Sequence, residues 1–215
     1  MSDMTGSKAT ALHQFCQEQQ LNFIRFDYFG HGVSSGEFTA GSIGKWRDNV
    51  LTILDRFAWE STILVGSSMG GWLMLLATLA RPERIKGLVG IASAPDFTED
   101  LIWNSFTSEQ QHSLLKDGII NLPADYCDGN YPITRHLIEE GRQHLVLRNP
   151  IPIHCPVTLL HGMNDQDVPY ETSIRLAKQL ATTQVKTILL KDGDHRMSEA
   201  GQLEVMLACV REMVG

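Results

Sequence analysis

The apolar positions change their period several times along the chain, and the changes mark its elements. From Ser7 to Gln20, the residues Ala11, Leu12, Phe15 and Cys16 recur at helical spacing, with Ser7 placed as the N-cap. "LNFIRFDYF" follows as a predicted strand and is ended by the glycine-rich loop "GHGVSSGE". Ile43, Trp46, Val50, Ile53 and Phe57 then mark one face of a second helix. "TILVG", from Thr62 to Gly66, is short, apolar and rich in β-branched residues, the pattern of a strand buried on both faces. It runs almost without a loop into "MGGWLMLLATLARPERI", a buried helix stopped at Pro82. "GLVGIASA" is a further buried strand.

Between Pro95 and about Pro156 this rhythm fails. Prolines and mixed polarity dominate, and "LIWNSFTSEQQHSLL" is the one amphipathic segment. The alternation then resumes: "VTLLHG" as a strand, Tyr170 to Ala181 as a helix, "VKTILL" as a strand and Ser198 to Val214 as a closing helix. Strands that alternate with helices and are buried on both faces imply an α/β fold with a mostly parallel sheet and helices on both faces. The expected organisation is a core of residues 1–94 and 157–215, interrupted by a lid or cap insertion at 95–156.

Composition narrows the function classes. A net charge of −7 and a pI near 5.6 leave no basic face for nucleic acid. The longest apolar run, Trp72 to Ala80, is far short of the roughly 20 residues needed to span a bilayer, so no membrane span is expected. Without a visible secretory signal the reading is a cytoplasmic protein, with mitochondrial targeting left open by the way the chain begins. Cys16, Cys127, Cys155 and Cys209 are scattered, with no CxxC pair and no Cys/His ligand spacing, which reads as reduced thiols and no metal site.

The chemistry concentrates at "GSSMGG". Gly66, Ser68 and Gly70 form G-x-S-x-G at a strand-to-helix junction, where a sharp turn exposes the serine and the helix behind it aims N–H groups at a reacting carbonyl. As bare letters the motif is weak; in this context it marks Ser68 as a nucleophile. Such a serine needs a base and the base an orienting acid, here in the chain order Ser, Asp or Glu, His. "KDGDHRMS" supplies His195 just past the last strand, and "HGMNDQDVPY" supplies two acids past the strand before it. Asp167 precedes Val168-Pro169 and is read as a cap of the following helix, which makes Asp165 the triad acid. Asp96, after "GIASAP", is the outside candidate. His161 stands on the wrong side of the acid in chain order and is read as structural, or as a support to the site. The loop "DYFGHGVSSG" matches no phosphate-binding spacing, so His31 is read as structural, and no HExxH pair is present.

With these motifs in this order, the chain resembles the α/β-hydrolase superfamily over nearly its whole length. The resemblance is carried by "FDYFGHGVSSGEF", "GSSMGGWLML", "LLHGMNDQDVP" and "DGDHR". "SDMTGSKA" together with "GSSMGGW" looks like the branch of mitochondrial palmitoyl-protein thioesterases, acyl-glucuronide esterases and bacterial carboxylesterase-like proteins. The resemblance implies the triad Ser68, Asp165 and His195, the amide of Met69 as one oxyanion-hole donor, a short lid, and no cofactor. It also implies ester or thioester substrates, either small acyl molecules or acylated proteins. Trp103, Phe106, Leu114 and Leu115 would either wall an acyl pocket or seat the lid.

The expected function is therefore ester or thioester hydrolysis through an acyl-enzyme. Its rivals are a weak or inactive relative that only binds ligands, and a peptidase or acyltransferase on the same triad. The first rival draws on the opening "MSDMTGSKA", which matches the end of the loop that carries the first oxyanion donor in the resembled fold. Only one strand is read before the nucleophile strand. The expectation is that the N-terminal strands of the fold are missing and that Met1 is an internal methionine. The oligomeric state is not legible in the sequence.

Overall fold

A computed structural model of the chain describes residues 3–57, 61–124 and 129–215. Met1 and Cys127 lie outside the described residues; Cys16, Cys155 and Cys209 are free thiols.

Helix α1 (Ser7–Glu18) and helix α2 (Ile43–Phe57) precede the first strand, β1 (Thr62–Ser67). Helix α3 (Met69–Ala80), strand β2 (Ile85–Ile91), helix α4 (Ser108–Asp117), strands β3 (Ile119–Ala124) and β4 (Gly129–Thr134) and helix α5 (Arg135–Gly141) follow. Strand β5 (Val157–Gly162), helix α6 (Glu171–Gln179), strand β6 (Val185–Leu190) and helix α7 (Ala200–Val214) complete the order. β1, β2, β5 and β6 form one parallel sheet in the order β1-β2-β5-β6, with Ser67 opposite Ile91 and His161 opposite Leu189.

Side chains of a strand point alternately to its two faces, and each face of this sheet has its own core. Leu88 and Leu159 pack with Trp46, Trp72, Leu73 and Leu176 from α2, α3 and α6. Their neighbours Val89 and Leu160 pack with Leu12, Phe15, Met206 and Val210 from α1 and α7. That arrangement explains why β5 and all of β2 except the exposed Lys86 are buried, and why both strands are mostly apolar.

Several local expectations change. "LNFIRFDYF" forms no ladder strand among the described residues: it is mostly half-buried, but pairing needs a neighbouring strand that the local pattern does not supply. β1 is only partly buried, because it stands at the end of the sheet order. In α1 the N-cap is Gly6 and Ser7 is the first helical residue. In α2 Ile43, Trp46 and Val50 are buried, but Leu54 rather than Ile53 is the next buried position, and Phe57, the last residue of the helix, is 60% exposed.

Residues 95–156 hold a π-turn (Thr98–Ile102), α4, the β3–β4 antiparallel hairpin and α5. This stretch is closed on itself and also fastened to the rest of the chain. The buried Asp96 carboxylate accepts from the amides of Val146 and Leu147 at 2.8 and 2.9 Å. Glu140 accepts from the Gly44 amide at the start of α2 (2.9 Å) and pairs with His144 (2.7 Å), while Trp72 Nε1 donates to the His144 carbonyl (3.1 Å). Asp100 is flanked by Arg148 and Arg175, and Glu99 by Arg142. Phe106 and Leu114 are buried in the core, whereas Leu115 is 45% exposed, so the first two seat this stretch and the last faces solvent. No helix among the described residues is long and apolar enough to cross a membrane.

Candidate active site

In a parallel sheet the carboxyl ends of the strands share one edge, and loops leaving neighbouring strands converge there. Three such loops carry the residues that the sequence singles out. Ser68 follows β1, Asp165 follows β5 and His195 follows β6.

Ser68 sits at φ 53°, ψ −121°, a conformation an L-residue adopts only under constraint. Its amide donates to Ile91 O at 2.9 Å, and its carbonyl accepts from Gly71 and Ala94, so the turn is held from β2 as well as from its own helix. Ser68 is the N-cap of α3 without using its side chain as a cap, which leaves Oγ for other partners. Met69 is the first residue of α3, so its N–H is one of the four that have no intrahelical acceptor.

The Ser68 hydroxyl meets His195 Nε2 at 3.0 Å, and His195 Nδ1 meets Asp165 Oδ2 at 2.7 Å. The His195 side chain is 20% exposed, and the Asp165 side chain is fully buried. Asp165 Oδ1 accepts from the amides of Asp167 (2.9 Å) and Val168 (2.8 Å), and Oδ2 also meets His161 Nε2 at 3.1 Å. Burial by itself would raise the Asp165 carboxyl. The hydrogen bonds from His161, His195 and the Val168 amide overcome it and hold the group well below the usual carboxylate range. It stays an anion, as a partner to an imidazolium must.

The other acids have different surroundings. Asp96 is tied to the backbone at Val146 and Leu147, and burial pushes its carboxyl up against those two amide donors. Asp167 does not cap α6: Tyr170 holds the N-cap position and no side chain caps that helix. Ligand atoms of Asp165, Asp167 and His195 lie within 4.8 Å of one another, and among the described residues they are the grouping with a metal-binding shape. A cation there would compete with the His195 contacts to Ser68 and Asp165. His31 is buried among the rings of Tyr28, Phe38 and Trp46, with Nδ1 against the Phe29 carbonyl at 3.1 Å.

Two neighbours were not legible in the sequence as parts of this site. Lys8 Nζ donates to the carbonyl of Arg196, directly beside His195, and its burial lowers the amine. Ser173 Oγ meets His161 Nδ1 at 2.7 Å. Each contact joins positions distant in the chain or one turn into a helix, and no motif spacing announces them. Chemically, the arrangement suits proton removal from a serine hydroxyl by an imidazole that is itself held by a buried carboxylate.

The model of the family described as "alpha/beta hydrolase fold" matches residues 8–113. The rat protein named palmitoyl-protein thioesterase ABHD10, mitochondrial, is 43% identical over 215 residues, which is 100% of this chain and 72% of that protein. Among solved structures, a protein from Agrobacterium vitis S4 is similar at a TM-score of 0.96 and 38% identity, over 100% of this chain and 84% of that one. The mouse alpha/beta hydrolase domain-containing protein 10 is similar at a TM-score of 0.92 and 41% identity, over 99% and 85%.

Proposed function

The chain belongs to the α/β-hydrolase family, and on that premise we propose that it hydrolyses carboxylic ester or thioester bonds of acyl substrates through Ser68, His195 and Asp165. The observation that carries the reading is the continuous line from Ser68 Oγ to His195 Nε2 at 3.0 Å and from His195 Nδ1 to Asp165 Oδ2 at 2.7 Å. His195 Nε2 takes the hydroxyl proton as Oγ attacks the acyl carbonyl, and Asp165 stabilises the imidazolium that forms. The tetrahedral oxyanion is held in part by the Met69 amide at the N-terminus of α3. His195 returns the proton to the departing alcohol or thiol, and water, activated by the same imidazole, releases the acid from Ser68.

The mammalian relatives are named palmitoyl-protein thioesterases, so a fatty acyl thioester is the first substrate to try. They are also named mitochondrial, in line with the mitochondrial alternative and against the cytoplasmic expectation. Residues 95–156 are proposed as the lid over a core of 1–94 and 157–215. The test is a fluorophosphonate probe followed by hydrolysis of p-nitrophenyl acyl esters and an acyl thioester. Label on Ser68, lost in Ser68→Ala, with turnover lost in His195→Ala, is the expected result. A folded protein that takes no label, or a Ser68→Ala variant that still does, refutes it.

A further inference from the structure

We propose that His161 is a positioning residue for the reaction, donating its Nε2–H to the same Asp165 oxygen that serves His195. The inference rests on the triad reading above. His161 is the residue before the end of β5, and its ring is fully buried. Nε2 faces two acceptors, Asp165 Oδ2 at 3.1 Å and the Val168 carbonyl at 3.0 Å. Neither brings a hydrogen, so Nε2 carries the proton. Nδ1 faces Ser173 Oγ at 2.7 Å, and that hydroxyl then donates to Nδ1. Ser173 is itself buried and fixed on the first turn of α6. A relay of two donors therefore runs from α6 through β5 into the carboxylate.

The Asp165 carboxylate has four hydrogen-bond partners: the amides of Asp167 and Val168 on Oδ1, and His195 and His161 on Oδ2. The amides fix one oxygen; the two imidazoles divide the other. His161 thus does two things that a buried side chain filling space would not do. It locks the rotation of the carboxylate, and it draws off part of the charge that would otherwise act on His195. A buried histidine without this role needs only satisfied nitrogens, and these nitrogens are satisfied by the acid of the triad and by a hydroxyl that sets the tautomer.

The experiment compares wild type, His161→Leu, His161→Gln and Ser173→Ala. Active sites are counted by fluorophosphonate label, and kcat and KM are measured on an acyl ester from pH 5 to 9. Asp167, whose carboxylate also lies within 4.8 Å of His195, is the same in all four proteins. Removing the Nε2–H concentrates charge on Asp165 Oδ2, which favours the imidazolium. The acid limb of the kcat/KM profile should move up by about half to one pH unit in His161→Leu. Its kcat per labelled site should fall by about tenfold or more, with KM little changed. His161→Gln, which keeps an amide N–H, should recover part of both, and Ser173→Ala should fall between. In wild type, long-range ¹⁵N–¹H correlation should show His161 as the Nε2–H tautomer, a readout that needs neither turnover nor a folded variant. An Nδ1–H tautomer overturns the proposal, and so does a labelled His161→Leu with an unmoved limb and unchanged kcat. Wild-type protein that takes no label at Ser68 sinks the triad reading itself.

Discussion

Gly66 and Gly70 meet across the turn that presents Ser68: a Cβ added to Gly66 would stand 2.3 Å from the Gly70 carbonyl oxygen. That obstacle is backbone and has nowhere to retreat. The next crowded position is Gly71, where a Cβ would lie 2.4 Å from Ser93 Oγ, whereas one on Gly70 would find only Tyr28 Oη at 3.7 Å. The motif's first glycine and the residue after its last are thus the ones the packing demands. Gly66→Ala should lose about 1–3 kcal/mol of unfolding free energy and slow fluorophosphonate labelling, because relief has to come from the strained Ser68 turn. Gly70→Ala, in the first turn of α3, should stay within about 1 kcal/mol of wild type. Urea unfolding of the two variants checks this; equal losses at both positions would contradict it.

The two buried acids should part under the same substitution. In Asp165→Asn the NH2 must face either the two ring N–H groups or the two backbone amides that donate to the carboxylate, so donor meets donor and the negative charge that holds His195 in its tautomer is lost. Turnover should drop by about 10³–10⁴ with the fold retained. In Asp96→Asn one of the two amides, Val146 or Leu147, loses its acceptor. That should cost about 1–3 kcal/mol of stability while kcat stays within a few-fold. Circular dichroism melts beside kcat measurements decide it, and an Asp96→Asn variant that is stable but inactive would reverse the assignment of the acid.

The sequence made the strands of the sheet core and the loop residues past them legible, for one reason. β5 coincides with the run "VTLLHG" and β2 covers most of "GLVGIASA", because a strand buried on both faces is apolar by local necessity; β6, at the end of the sheet order and only partly buried, still coincides with the β-branched and apolar run "VKTILL". Ser68, Asp165 and His195 then follow from chain order, since each loop leaves the same sheet edge. What stayed hidden depends on partners far away in the chain. The β3–β4 hairpin carries Pro123 and Pro132, which argue against a strand locally, yet the pairing of Ile120 with Ile133 forms. Glu140 reaches the start of α2 at Gly44, 96 residues earlier, and no periodicity encodes that. The stretch at 21–29 shows the converse, an apolar pattern that forms no ladder among the described residues.

Adjacent leucines in α4 separate a seat from a wall. Leu114 is 0% exposed within the core cluster and Leu115 is 45% exposed. Leu114→Ala should therefore lose about 2–5 kcal/mol, and Leu115→Ala no more than about 0.5 kcal/mol. Neither should change the ranking of acyl chain lengths at a temperature where both are folded. A chain-length preference altered by Leu115→Ala would put that side chain in the acyl path instead.

Tyr28 supplies a prediction at the alkaline end. Its ring is packed edge-on to Phe26 and His31, and burial pushes its phenol up from 10.0 to about 12. A phenol raised in the folded state stays neutral after the unfolded chain has begun to ionise. The stability it contributes is complete below pH 10 and is lost as the pH rises from 10 towards 12. A shift of that size corresponds to about 2–3 kcal/mol across the window. Tyr28→Phe keeps the ring contacts and removes the titration, so its unfolding free energy should fall less steeply than that of wild type over the same interval. Below pH 9 the two proteins should run parallel. Urea unfolding at half-unit steps, with absorbance at 295 nm to follow phenolate, measures both parts. Parallel curves all the way to pH 12 would show that the phenol ionises freely in the native state and that the packing around it does not exclude the charge.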